Sequence, residues 1–233
     1  MSQSRRWICF LTITYVLSGA THPRFKTSAG RGQACATSLN NCPDQGCGGG
    51  DRPLNKKKNM RQMPNPSDYQ VITFDDFRHL QEEAPTEWKQ NQSRAEVEQL
   101  GEGNAVMLAG YLLGAHSGSP ETCNCKLSGE ENNDYHINVT ENSDDAMTDS
   151  VVVEMTPKMR ASIPQWNLTT LNALKGKQIR VSGYLLFDSE HVTRSGGERM
   201  TIWEIHPVTR FEVCRTASCP PESDEGWNDI QGQ

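Results

Sequence analysis

The sequence predicts a mainly β protein with short helices, built as a five-stranded barrel behind a helical extension. Three observations predict it. The apolar period changes from helical to strand-like at Ala105. From there the elements run strand, strand, strand, helix, strand, strand. Two glycines, Gly110 and Gly183, sit inside strands, each ahead of Tyr-Leu-Leu. A glycine inside a strand weakens it unless the backbone must bend or pack closely, as barrel strands do.

The N-terminus reads as an export leader over 1–20. Arg5 and Arg6 precede an apolar run, Trp7 to Leu17, that is too short to span a bilayer. Ser18-Gly19-Ala20 supplies small residues for cleavage after Ala20. Ser4-Arg5-Arg6 is a poor match to a twin-Arg signal, and the export route stays open. Cleavage takes the formal charge from −6 to −8 by removing two arginines. It also removes Cys9, leaving seven of eight cysteines.

Residues 21–63 read as a flexible Gly- and Cys-rich arm, disordered up to about Ala34. Within it Lys56-Lys57-Lys58 reads as a solvated basic run. Residues 64–102 read as a helical extension. Thr73 caps a helix whose first turn carries Asp75 and Asp76 and whose apolar face carries Phe74, Phe77 and Leu80. A second helix spans Arg94 to Leu100 and stops at Gly101. Trp88 is expected to pack between these helices and the barrel.

The barrel occupies 103–214. Its strands are Ala105 to His116, Asp134 to Thr140, Ser150 to Thr156, Gln178 to Asp188 and Met200 to Val213. In the second, Tyr135, Ile137 and Val139 alternate with Asp134, His136 and Asn138, so one face is buried and one polar. Ile163, Leu168, Leu171 and Leu174 mark a short helix ending at Gly176. Pro207 in the last strand implies a bend or an edge. The β-β-β-α-β-β order is that of an OB-fold, a partly open Greek-key barrel. Residues 215–233 read as a disordered tail.

With 35% hydrophobic residues, the core must be concentrated, and the apolar runs do cluster between Ala105 and Val213. The net charge of −6 disfavours nucleic-acid binding by bulk electrostatics. No transmembrane span is expected, and the location is periplasmic or extracellular. Disulfides suit that compartment. Cys35, Cys42, Cys47, Cys214 and Cys219 are the candidates, with Cys214 and Cys219 placed to close a small loop.

A spaced set of motifs runs through the chain: Gly50-Asp51, Leu54-Asn55, Lys58-Asn59, Gly110-Tyr111-Leu112, Cys123-Asn124-Cys125 and Asp134-x-His136. It continues with Val151-Val152-Val153-Glu154-x-Thr156-Pro157, Gly183-Tyr184-Leu185, Asp188-x-Glu190-His191 and Trp203-Glu204-Ile205-His206-Pro207. Together they resemble a family of exported bacterial proteins of unknown function with a predicted OB-fold-like domain. The resemblance covers roughly Cys47 to Val213. It implies fold and export, and brings no activity, substrate or catalytic residue. Lys58-Asn59-Met60 departs from it, since the family pattern has a basic residue after the Asn.

Three histidines lie beside carboxylates: His136 by Asp134, His191 by Asp188 and Glu190, and His206 by Glu204. An OB barrel can bring these strand ends to one rim, where they could hold a divalent metal and activate water. The plainer alternative is three local hydrogen bonds that fix strand ends. Cys123 and Cys125 with His136 form a weaker metal candidate. Tyr111, Tyr184 and Trp203 could form a stacking platform, although beside Ile202 and Ile205 core packing suits Trp203 better.

Three functional readings follow. The first is a non-enzymatic binding module for an oligosaccharide, oligonucleotide or peptide, needing no cofactor; a locally basic face through Arg180, Arg199 and Arg210 would suit the oligonucleotide. The second is a metal-dependent hydrolase, with phosphodiesters as one substrate class, built on the His/carboxylate pairs. The third is a structural accessory of the envelope that binds a partner protein.

Overall fold

The computed structural model describes residues 34–192 and 199–230. The expected leader and the first part of the arm lie outside the described residues. Among the described residues seven strands form one sheet: β1 (Gln70–Val71), β2 (Ala105–Ser117), β3 (Tyr135–Thr140), β4 (Val151–Met155), β5 (Gln178–Phe187), β6 (Trp203–Cys214) and β7 (Trp227–Asp229). They pair in the order β1-β2-β3-β4-β6-β5, and β5 pairs back onto β2. That last pairing closes a five-stranded barrel. β4 and β6 meet in parallel at Val153 and Ile205, and the other barrel pairs are antiparallel. The helices are α1 (Arg52–Lys58), α2 (Phe74–Glu83), α3 (Ala95–Gln99), α4 (Pro157–Arg160) and α5 (Leu168–Asn172). Element order and closure are those of an OB-fold-like barrel.

The alternation expected in β3 sets the barrel's inside and outside. Ile137 and Val139 point into the core, as do Val151, Val153 and Met155 of β4 and Trp203 and Ile205 of β6. His136, Asn138, Glu154, Glu204 and His206 occupy the intervening positions and so face outward. Gly110 and Gly183 do the work their position implies. A Cβ on Gly110 would lie 2.6 Å from the Thr140 carbonyl oxygen, and one on Gly183 would lie 2.4 Å from that of Pro207. Opposite Pro207 the β5–β6 register shifts at Gly183.

The extension adds to the same core rather than forming its own. Thr73 and Asp76 make a reciprocal capping box that starts α2. Phe74 and Phe77 of α2 and Val97 of α3 then pack on the barrel residues. Trp88 meets Phe187 at 5.2 Å between ring centres. Each of these large side chains, once buried, contributes about 1.5–3 kcal/mol.

Two expectations are corrected. The tail is ordered through Ile230: β7 pairs with β6, and Ile230 is buried. The buried Arg180 guanidinium holds the Pro221 and Ser223 carbonyls and the Asp224 carboxylate, and Cys214–Cys219 closes the preceding loop. The chain is short of apolar residues here, so composition missed an order that rests on one arginine and one disulfide. The arm is likewise built from Cys35 onward. Cys35–Cys47 folds it on itself, and Cys42–Cys125 ties it to the β2–β3 loop. Asp51 caps α1, accepting from the Leu54 N–H at 3.2 Å. Lys58, at the end of a run expected to be solvated, is 2% exposed.

Candidate functional site

The outward residues of β3, β4 and β6 are not left to solvent. α1 and the β2–β3 loop cover them. Asn59 Nδ2 donates to the Cys123 carbonyl at 2.9 Å, and Thr122 Oγ1 bonds Asn55 Oδ1 at 3.1 Å. A Cβ on Gly50 would overlap the Thr122 side chain, so only glycine lets α1 begin this close to the loop. In an OB-fold the face of the second and third strands and the loops after the first and fourth form the ligand site. Here that place holds a layer of buried charge.

The three histidine–carboxylate pairs do meet, through two residues outside all of them, Glu154 and Arg199. Glu154 of β4 stands opposite His136 in the strand register. Its Oε1 lies 3.4 Å from His136 Nε2 and its Oε2 lies 3.0 Å from His206 Nδ1. His206 Nδ1 is 3.2 Å from Glu204 Oε1. Arg199 then bridges Glu204 and Asp188, each at 2.9 Å, and Asp188 holds His191 Nδ1. The local pairing expected at Asp188–His191 and Glu204–His206 is therefore present, whereas His136 faces Glu154 across the strands. Asp134 is held through Oδ2 by Asn124 Nδ2 at 3.1 Å. Lys58 Nζ reaches in from α1 to Glu121 Oε2 at 2.8 Å.

Several polar atoms in this layer have no hydrogen-bond partner: Asp134 Oδ1, His136 Nε2, Glu154 Oε2 and His206 Nε2. For Glu154 and His136 the ion-pair distances above are met without the alignment of a hydrogen bond. Asp134, Glu154 and His206 are each 1% exposed or less. Each offers a ligand atom within 4.8 Å of the other two, and Glu121, His136 and Glu154 make an overlapping set. Bare buried polar atoms are costly and uncommon in folded proteins; several in one place point to a missing partner.

The electrostatics follow from burial and neighbours. Burial opposes charge on His206, but Glu154 and Glu204 outweigh it and hold the imidazole up at about 10. Burial pushes Asp134 up to about 6. It works the same way on Glu154, yet His136 and His206 keep that carboxyl well below the usual range. Burial would neutralise Lys58, but Glu121 and Asp188 keep it charged. Asp188, against its burial, is held low by Lys58, His191 and Arg199.

A comparison with protein-family models found no match, and one with curated proteins found none either.

Other expected site residues fall elsewhere. Glu190 is exposed and lines a separate cleft with Trp88 and Val192. Cys125 is bonded to Cys42, which removes it as a metal ligand beside Cys123 and His136. Cys123 is the free cysteine among the described residues, buried 3.8 Å from Asp134 Oδ2. The stacking platform does not assemble. Trp203 lies in the barrel core with its Nε1 on the Leu80 carbonyl. Tyr184 pairs with Ala105 on β2, six residues from Tyr111, or about 20 Å along the strand. Nor do the arginines form a basic face: Arg180 is buried on Glu212, Arg210 pairs with Glu212 and Asp229, and Arg199 belongs to the site.

Sequence reasoning passed over Lys58, Glu121 and Glu154. A signal existed for Glu154, a charge inside the run Val151-Val152-Val153-Glu154-Met155. Lys58 was marked only by the Lys58-Asn59 motif, and nothing local marked Glu121. The three disulfides match an oxidising, non-cytoplasmic setting, and no helix among the described residues is long and apolar enough to cross a membrane.

Proposed function

We propose that this protein is an exported hydrolase that uses a divalent metal held by Asp134, Glu154 and His206. One observation carries the reading. Asp134 and His206 are each anchored through one polar atom and bare at the other, and each offers a ligand atom within 4.8 Å of one on Glu154. Metal-binding histidines commonly have this form, with one ring nitrogen on a carboxylate and the other free for the ion.

Two carboxylates and an imidazole suit a zinc- or manganese-class ion better than calcium or magnesium. Such an ion lowers the pKa of its bound water and polarises the bond to be cleaved. Glu204 orients His206, Asn124 orients Asp134, and Lys58 adds fixed positive charge behind the centre. His136 lines the adjoining cleft and turns Nε2 to Glu154 at 3.4 Å, a contact through which a proton can be passed.

The test is elemental analysis of the full, disulfide-bonded protein, followed by assay of p-nitrophenyl esters of acetate and phosphate. The expected result is about one metal per chain, turnover lost to a chelator and restored by zinc or manganese, and both lost in His206→Ala. A folded protein that takes up no metal and hydrolyses nothing would overturn the reading. If it bound an oligosaccharide or a peptide at this face instead, the binding module would be the better description.

A further inference from the structure

A cleft of about 420 Å³ opens on the outer side of the buried layer, lined by His116, His136, Asn138, Met147, Val152, His191 and Arg199. That volume suits a small molecule or a single unit of a larger one. Its lining is basic although the chain is acidic. The chain carries a net charge of −6, yet no carboxylate is among the described residues lining this cleft, and four of the seven side chains bear nitrogen bases or cations. A larger cleft of about 700 Å³, also lined without a carboxylate, by Gln45, Arg52, Lys56 and Asn91 among others, includes no histidine and none of the layer's titratable residues.

We infer that this cleft is a subsite for a phosphate-ester group, with His116, His136, His191 and Arg199 as its polar walls. The inference rests on the hydrolase reading for its biological sense, and on the lining residues for its content. The carboxylates lie behind the wall, each already facing a cation or imidazole. Arg199 gives one N–H to Asp188 and one to Glu204. The rest of its five donors have no partner among the described residues. His191 is fixed through Nδ1 by Asp188, so its other nitrogen is the one left for a ligand. His116 and His136 stand together across β2 and β3, their ring centres 5.3 Å apart; His136 turns Nε2 inward to Glu154 at 3.4 Å, so its Nδ1 is the nitrogen left for a ligand. Asn138 adds an amide to the lining, although its Nδ2 donates to Ser150 Oγ at 2.9 Å.

The arrangement offers a tetrahedral anion several convergent nitrogens at the entrance to the metal centre. A longer polyanion gains little, because the surrounding protein is acidic and repels it. Turnover of a bound ester would consume one water. Its oxygen bonds to phosphorus as the P–O bond to the leaving alcohol breaks. One proton of that water stays with the phosphate and the other goes to the alcohol.

The experiment measures binding of inorganic phosphate by calorimetry to the full, disulfide-bonded protein, with and without added zinc. Acetate serves as the control anion. His116→Ala is the first variant, because His116 is exposed and outside the proposed ligand set. Phosphate should bind in preference to acetate and weaken about tenfold or more in His116→Ala, with metal content unchanged. His191→Gln should weaken it as well. Competition by p-nitrophenyl phosphate and by thymidylyl-thymidine then assigns the source: stronger competition by the first marks a monoester, and by the second a diester. Equal affinity for acetate and phosphate, or unchanged phosphate binding in both variants, overturns the inference. The two proposals fail separately. Metal without phosphate binding sinks this one alone, whereas phosphate binding without metal sinks the hydrolase reading and leaves the subsite standing.

Discussion

Arg180 on β5 and His206 on β6 are both buried charges on the outside of the same barrel, but their surroundings differ. All five N–H donors of Arg180 are used. Two go to Glu212, one to Asp224, and two to the carbonyls of Pro221 and Ser223, all between 2.7 and 3.1 Å. Arg94 is enclosed in the same manner by Glu102, the Phe187 carbonyl and Ser189. His206 instead has carboxylates crowding one nitrogen and nothing on the other. A buried charge that only holds the fold together is closed on all sides. On the proposed reading, the bare side of His206 receives the metal, and the contrast then separates structural from functional electrostatics within one molecule.

The contrast breaks most visibly at Arg180. Arg180→Ala leaves Glu212 buried without its main partner and should cost about 3–5 kcal/mol, read by urea denaturation, while metal per folded chain stays unchanged. Loss of metal without loss of stability would reverse the assignment of roles.

The clasp comes next. Cys42→Ser with Cys125→Ser opens a link between residues 83 apart and should lower stability by about 2–4 kcal/mol. Because Cys125 closes the loop that carries Glu121 and Cys123, metal should also bind more weakly. Unchanged metal affinity would detach the arm from the site.

pH tests the open centre in metal-free protein. The pKa of His206 lies above its ordinary 6.5, at about 10. Its contribution is therefore complete below about 6.5 and is lost as the pH rises toward 10. Stability should fall by on the order of 2–3 kcal/mol between pH 7 and 10. Asp188 and Glu154, held below the usual carboxylate range, contribute above about 4.5 and lose their share as the pH falls. A flat urea midpoint from pH 7 to 10 would mean that His206 is not charged in the fold.

The smallest stability change and the sharpest functional one meet at Asp134. Burial already pushes this carboxyl up to about 6, so Asp134→Asn should shift metal-free stability by less than ~1 kcal/mol. The same variant should weaken zinc binding at least about tenfold. An unchanged zinc titration would remove Asp134 from the ligand set.

The sequence by itself determined the barrel. Alternation at Tyr135-His136-Ile137-Asn138-Val139, glycines at 110 and 183, and a short helix between the third and fourth strands are local signals, because strand period and backbone space are local properties. Thr73 as a cap and Cys214–Cys219 as a short loop could be read for the same reason. Half of the candidate site was visible too: Asp134, His136, Asp188, His191, Glu204 and His206 each sit beside a chemical partner in the chain. Only the tertiary structure decided that these pairs form one layer. Glu154 joins them across strands, Arg199 bridges Asp188 to Glu204, and Lys58 arrives from an arm that composition assigned to solvent. It also moved Trp203 into the core, drew the tail onto β6 and gave Cys125 to a disulfide. Those outcomes depend on which residues barrel closure and one long-range disulfide bring together. Contacts between residues dozens of positions apart leave no period or spacing in the chain.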